Sequence, residues 1–265
     1  MIIKKINELI VSSNDIYILN IYKNHIIIND NYQGLILLNH ALQVTEKIFI
    51  LQHIHIYHLY QKYNDSSVLI YSPESEKFIL VDINTKKHVV IRIPTNDVFS
   101  PNYYWDNNIL VMTTFNDDFY QLCFKSYIWR QISREETKKI CSSFFYFWNV
   151  AKNYSVLKFY SEYQAFITQS DAEMISFFSC AQLEPIQVKN FDDGWHDVEF
   201  NNRVFMFIHE KKIEIFNCEN KITLKPCDEY IFLRAKFLNN NHIIILSSKP
   251  SNSRECLLEN YYLQY

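Results

Sequence analysis

The chain has 265 residues, 26 Lys and Arg against 29 Asp and Glu, and a formal net charge of −3. Apolar residues make up 48% and charged residues 21%, the balance of an ordinary globular chain and not of a disordered one. The two glycines, Gly34 and Gly194, exclude every motif built on a glycine loop: the dinucleotide fingerprint, the Walker A loop, the kinase loop and the nucleophile elbow.

Basic residues are scattered, which argues against a nucleic-acid surface. No apolar run approaches the ~18 residues of a membrane span. The start, Met1 to Glu8, lacks the apolar core and cleavage site of a signal peptide. The six cysteines, Cys123, Cys141, Cys180, Cys218, Cys227 and Cys256, form no C-x-x-C pair, and several sit inside apolar runs. They read as free thiols in a reducing cytoplasm. Ile, Asn, Lys and Tyr are abundant and Ala scarce, a bias toward AT-rich codons that also favours strands over helices. The two N-x-S sequons, at Asn64 and Asn153, occur at chance frequency.

In chain order, short β-branched and aromatic runs alternate with polar turns, and they read as strands. The strongest run of each group begins at Ile26, Val68, Ile109, Ala165, Val204 and Ile243, with steps of 42, 41, 56, 39 and 39. The run that follows each begins at Leu35, Phe78, Phe119, Met174, Ile213 and Cys256, with steps of 43, 41, 55, 39 and 43. Two independent rows share one period and one anomaly. A third row, Val44, Val89, Ile128, Ile186 and Ile222, has no sixth member, and the N-terminal segment Met1–Ile10 supplies it. A strand from one terminus would thus complete the unit begun near the other.

The first strand of each unit is vaguer. Trp105 to Asn108, Phe200 to Asn202 and Phe237 to Asn241 each place an aromatic before an Asn turn that leads into the strong strand. Asn and Asp are expected to take the left-handed turn positions that glycine would otherwise fill. The extra ~15 residues fall between the third and fourth units. There Ser133-Arg-Glu-Glu136 is a capping box, and a short helix or long loop is expected at about 134–152. The alternative alignment makes Phe144–Trp148 the first strand of the fourth unit.

A period of ~40–45 residues with four strands per unit is that of a β-propeller blade. The layout resembles a divergent six-bladed β-propeller of the WD40/Kelch type over residues 1–265, an all-β single domain closed by the N-terminal strand. It lacks those families' motifs: Trp105-Asp106 is single and misplaced, and no Gly-Gly pair exists.

Several constellations hold side chains capable of chemistry. His53 and His55 would share one face of a strand, with His58 on the other, too few ligands for a metal. His209-Glu210 begins like a zincin motif, but Ile213 holds the last position. Glu74, Glu76, Asp117 and Asp118 read as solvated turn tips. Phe191 to Asp197 gathers Asp192, Asp193, Trp195, His196 and Asp197 into a connecting loop that reads as solvated or as an anchor for a partner. Tyr103, Tyr104, Trp105 and Asp106 would occupy the corresponding connection of an earlier unit, on the same rim; the equal alternative is that Tyr104 and Trp105 are core residues of that unit's first strand.

The resulting expectation is a cytoplasmic, non-catalytic, protein-binding propeller without metal or cofactor, membrane or nucleic acid. Its partner-binding residues are Asp192, Asp193, Trp195, His196, Asp197, Tyr103, Trp105 and Asp106. Divergent propeller-like chains without motifs resemble those among bacterial toxin-immunity proteins. That resemblance implies a toxin domain as partner, in the form of a basic nuclease suited to the mildly acidic balance. A scaffold subunit of a complex and a sugar-binding or glycoside-processing propeller are the alternatives.

Overall fold

The computed structural model describes residues 1–12, 14–23, 25–61, 66–97, 99–105, 109–142, 155–160, 165–171, 174–179, 186–189, 194–217 and 220–264. The chain opens with β1 (Ile2–Ser12). Then come β2 (Leu19–Tyr22), β3 (His25–Asp30), β4 (Gly34–Leu38) and β5 (Val44–Phe49). The next group is β6 (His58–Gln61), β7 (Ser67–Ser72), β8 (Lys77–Asp82) and β9 (His88–Arg92). It is followed by β10 (Phe99–Trp105), β11 (Ile109–Thr114), β12 (Phe119–Cys123), β13 (Ile128–Ile132) and helix α1 (Arg134–Ile140). After the helix come β14 (Ser155–Tyr160), β15 (Ala165–Asp171), β16 (Met174–Ser179) and β17 (Ile186–Lys189). The chain finishes with β18 (Asp197–Asn201), β19 (Val204–Ile208), β20 (Ile213–Phe216), β21 (Lys221–Leu224), β22 (Ile231–Asn239), β23 (His242–Lys249) and β24 (Asn252–Gln264).

The described strands form six four-stranded antiparallel sheets. Five are made of consecutive strands, and the sixth runs β1-β24-β23-β22. Both strong rows of the sequence period fall on the second and third strands of these sheets. The chain divides into two compact units, one of residues 1–56 and 192–265, the other of residues 57–191. Each contains three sheets.

In the first unit, β1 pairs with β24 from Ile2↔Gln264 to Ser12↔Glu255, with a bulge between Lys5 and Asn7. The bulge changes which residues face inward. Ile3 packs with Leu263 and Tyr261 in one apolar cluster, whereas Leu9 and Val11 pack with Cys256 and Leu258 in the other. Lys5 bridges Glu8 at 2.7 Å and the fully buried Glu259 at 3.2 Å, and the Tyr261 hydroxyl donates to Glu259 at 3.0 Å. A buried carboxylate thus keeps a cation and a donor at the seam between the two ends of the chain.

The apolar runs of β3, β4, β19 and β23 are buried on both faces, which is why they read as continuous and not as alternating. Each such side chain contributes about 1.5–3 kcal/mol. Gly34 is required by close approach: a Cβ there would lie 2.0 Å from the Ile48 carbonyl oxygen on β5.

In the second unit an aromatic stack fills the core. Tyr71 lies on Phe78 at 4.9 Å, Phe78 meets Phe99 at 5.2 Å, and Trp129 contacts both Phe78 and Phe99. The capping box forms: Glu136 N donates to Ser133 Oγ at 3.1 Å, and Ser133 N donates to Glu136 Oε2 at 3.0 Å. Helix α1 is held by Ile140 and Cys141 packing with Val111, Phe119 and Ile132. The first strand of the fourth sheet in chain order is β14, not Phe144–Trp148; that segment and the rest of 143–154 lie outside the described residues.

The turn expectation needs correction. Left-handed residues include Asn31, Asp117 and Asn202, but also Lys23, Leu42, His53, Glu76, Lys86, Tyr127, Arg203 and Glu229. With so few glycines, the tight hairpins impose φ > 0 on whatever residue occupies the position, at a steric cost that sheet pairing offsets.

Candidate binding site

A cleft of about 650 Å³ opens in the first unit, lined by Asp15, Asn31, Tyr32, Gln33, Gln52, His53, Ser253 and Arg254. Four pieces of chain build it: the entry to β2, the β3–β4 turn, the exit from β5 and the start of β24. In an antiparallel four-stranded sheet, the entry to the first strand, the second turn and the exit from the fourth strand share one end. The cleft therefore belongs to a single rim.

Its base is fixed by Asn29, which is fully buried. Asn29 Oδ1 accepts from Tyr17 N and Ile18 N, both at 2.9 Å. Its Nδ2 donates to Asp15 O at 2.7 Å and Asn31 O at 3.0 Å. All four hydrogen-bonding positions of one carboxamide are filled. Asp15 N donates to Asn31 Oδ1 at 2.7 Å, and Asn31 Nδ2 to Asn14 Oδ1 at 2.8 Å. The Tyr32 hydroxyl donates to Asp15 Oδ2 at 2.7 Å, and this bond to a carboxylate raises the phenol above its ordinary range.

The opposite wall is a two-residue excursion. Leu51 N donates to Gln33 O and Ile54 N to Tyr32 O, so Gln52 and His53 are lifted out of the pairing between them. His53 takes φ 58° and Asn31 φ 47°, two left-handed residues in one cleft wall. Beside them the His55 ring stacks on Tyr17 at 5.1 Å and on Tyr32 at 6.1 Å. Against this fixed base, the side chains of Gln33, Gln52, His53, Ser253 and Arg254 are exposed. No hydrogen bond or ion pair joins them to another described side chain.

The rim continues through the unit. Gly194 to His196 precede β18; His196 N donates to Ile208 O, and its ring nitrogen Nε2 lies 3.0 Å from Leu233 O. The β19–β20 turn shares that end, and its Glu210 O accepts from Phe232 N at the entry to β22. At the start of β24 the Cys256 thiol reaches Ile16 O and Asn14 O, next to the cleft.

Of the residues singled out from sequence, Trp195 is half-buried with its ring 5.9 Å from Phe207. His196 is exposed, and Asp197 Oδ1 accepts from Val198 N at 2.9 Å. Asp192, Asp193 and Asp106 lie outside the described residues. Tyr103 and Trp105 are not in a connection. They lie on β10, opposite Met112 and Leu110, and Trp105 ends that strand, whereas Trp195 precedes its own. The two segments thus occupy opposite ends of their respective sheets, because the aromatics of 103–105 belong to the pleat itself.

His53 and His55 do not share a strand face, since Gln52 and His53 form the turn just described and His58 begins β6. His209 is buried with its Nε2 3.5 Å from Glu214, a carboxylate that also pairs with Lys221 at 2.6 Å and Lys212 at 3.2 Å. Among the described residues no three His, Cys, Asp or Glu side chains gather as a metal-binding group. Cys123, Cys141, Cys227 and Cys256 are free.

Sequence reasoning missed Asp15, Tyr32 and Arg254. The signal available was the double Asn/Asp pattern, Asn14-Asp15 against Asn29-Asp30-Asn31, whose members bond one another across the cleft base.

No known protein-family pattern matches the chain, and no curated protein matches it. Among solved structures it is similar to the β-propeller domain of Cps50 (Swd1) from Myceliophteria thermophila. That match has a TM-score of 0.56 at 7% identity, and covers 97% of this chain and 99% of that one. Hsv2 of Kluyveromyces lactis matches with a TM-score of 0.46 at 10% identity, over 89% of this chain and 72% of that one. Among the described residues no helix is long and apolar enough to cross a membrane. Repeated four-stranded antiparallel sheets and the likeness to the Swd1 domain together make the chain a β-propeller by fold.

Proposed function

We propose that this chain is a non-catalytic, protein-binding propeller that works in the cytoplasm. In this reading its six sheets are six blades of one ring, and β1 is the strand that fastens the ring. The observation that carries the proposal is the rim of the first unit, where a cleft with a hydrogen-bonded base and the segment Gly194 to His196 share one edge. The cleft's unpartnered groups are mostly carboxamide, hydroxyl and guanidinium, which hold a ligand by hydrogen bonds and do not exchange protons near neutrality. A fold built of repeated blades offers such a rim to a partner without moving its backbone. The narrower expectation of an immunity protein with a toxin partner gains no support from the similar structures, and the proposal stops at a protein partner.

In this reading Trp195 is the anchor, propped by Phe207, and Asp192 and Asp193 steer the partner's approach. The test is isolation of the tagged chain from its native cells, identification of the co-purifying polypeptide, and titration of that polypeptide in purified form. Trp195→Ala should weaken binding about 30-fold, equivalent to about 2 kcal/mol. Asp192→Asn with Asp193→Asn should mainly slow association. Lys87→Ala, an exposed change in the other unit, should do neither. Wild-type affinity and rates in the loop variants would remove this rim from the interface.

A further inference from the structure

We propose that the cleft between the β3–β4 turn and the start of β24 is a peptide subsite. It would take an extended segment that offers a carboxylate to Arg254 and a cationic side chain to Asp15. The inference rests on the protein-binding reading and gives it a ligand chemistry.

The charges come first. Asp15 is held in place by Asn31 at its amide and Tyr32 at Oδ2, and no described cation pairs with it. A carboxylate accepts at about four sites, so most of its capacity remains. Arg254 lines the same cleft and is exposed, held at its backbone N by Asn252 Oδ1 at 3.3 Å, with its guanidinium unpaired by any described residue. A neutral ligand would leave both charges without a counterpart, whereas a segment bearing both signs answers each.

Next come the amides. Gln33 and Gln52 each present an N–H donor and a carbonyl acceptor, the same pair that a peptide group offers in reverse. Ser253 adds a hydroxyl and His53 an imidazole.

The volume of about 650 Å³ lies in the range of sites that enclose small ligands, enough for a few residues.

Finally, the site is preorganised. The buried Asn29 locks the Asp15 loop through both the oxygen and the nitrogen of its carboxamide.

The test uses four fluorescein-labelled decapeptide pools built on neutral polar residues. One carries a Lys and a Glu at varied spacing, one Glu only, one Lys only and one no charge. Fluorescence polarisation with the full chain should show the mixed pool binding at least about tenfold tighter than the uncharged pool, with affinity falling as salt rises. Arg254→Ala should erase the advantage conferred by Glu, and Asp15→Asn the advantage conferred by Lys. Arg254 is exposed and Asp15 half-buried, and an unchanged melting curve shows that each variant folds. Equal binding of all pools, or variants indistinguishable from wild type, would overturn the subsite. So would tight binding of an N-acetylglucosamine oligosaccharide ladder that the same variants abolish. If Arg254→Ala still retains the polypeptide that co-purifies with wild type, the subsite fails while the protein-binding reading stands. If wild type retains no polypeptide and binds the saccharide, both fail.

Discussion

Replacing Asn29 by Leu removes a side chain that satisfies two backbone N–H groups and two carbonyls from a buried position. Each such bond contributes about 1 kcal/mol net, and a buried partner left unsatisfied costs about 1–3 kcal/mol. The partners Asp15, Tyr17, Ile18 and Asn31 are only half-buried, so water can reach part of what Asn29 leaves behind. The lower end of the range therefore applies to each, and the expected loss is about 3–4 kcal/mol. In a chain of this size that lowers the melting temperature by roughly 6–15 °C. The assay is thermal unfolding followed by circular dichroism, beside hydrogen exchange at Tyr17 and Ile18. Those two amides should lose protection, while the amides of β7 and β8 in the other unit keep theirs. The same variant should weaken any ligand of the cleft, because Asp15 then has no fixed loop. A melting temperature within 2 °C of wild type, with Tyr17 and Ile18 still protected, would refute the reasoning.

Three further outcomes are expected. Deleting residues 1–12 strips β24 of its outer partner and uncovers the buried Glu259, so the truncated chain should aggregate or melt far below wild type; an unchanged melting temperature would show that β1 is an ornament. Burial would raise the Glu214 carboxyl, but Lys221 and Lys212 outweigh it and hold it below the usual glutamate range. Its stabilisation is therefore complete above the ordinary pKa of about 4.3 and lost as pH falls through the lowered folded value. The stability gap between wild type and Glu214→Gln should be widest near pH 6 and shrink in acid, and a gap independent of pH would contradict the ion cluster. Among thiols, Cys123 is lowered by hydrogen bonds from Ser126 and Lys125, while Cys256 is raised by burial and Cys227 by burial and Glu259. A maleimide at neutral pH should label Cys123 first, Cys227 next and Cys256 only on unfolding, as mapped by mass spectrometry.

The fold was legible because inner strands such as β3, β4, β19 and β23 are buried on both faces and leave dense apolar runs, and the second and third strands recur at a fixed spacing. Ile26, Val68, Ile109, Ala165, Val204 and Ile243 all fall within the second strands of the observed sheets. The N-terminal strand was legible from a missing member of the outer row, and β1 pairs with β24 as that row required. The first strands were harder. The run Tyr103 to Trp105 fits a connection and a first strand equally well in the sequence, and its pairing with β11 decides for the strand. The cleft was hidden for a different reason. Asp15, Tyr32 and Arg254 are ordinary surface residues in the sequence, and only the Asn29 network and the neighbouring start of β24 bring them together. His53 reads in the sequence as part of the polar face of a strand, but its left-handed turn places it in the wall of the cleft. Glycine scarcity hid the turns as well, since Leu42 and Tyr127 adopt conformations that sequence reasoning assigns to Gly or Asn.

The central claim is that the rim of the first unit holds a polypeptide partner. Site-specific photo-crosslinking in the native cell tests it most directly, with a diazirine side chain at Gln52, at His196 or, as a control, at Lys87. Gln52 and His196 should both crosslink to the same polypeptide, and Lys87 should not. Crosslinks from Lys87 alone, or adducts at Gln52 and His196 with only the mass of a saccharide or small molecule, would contradict it.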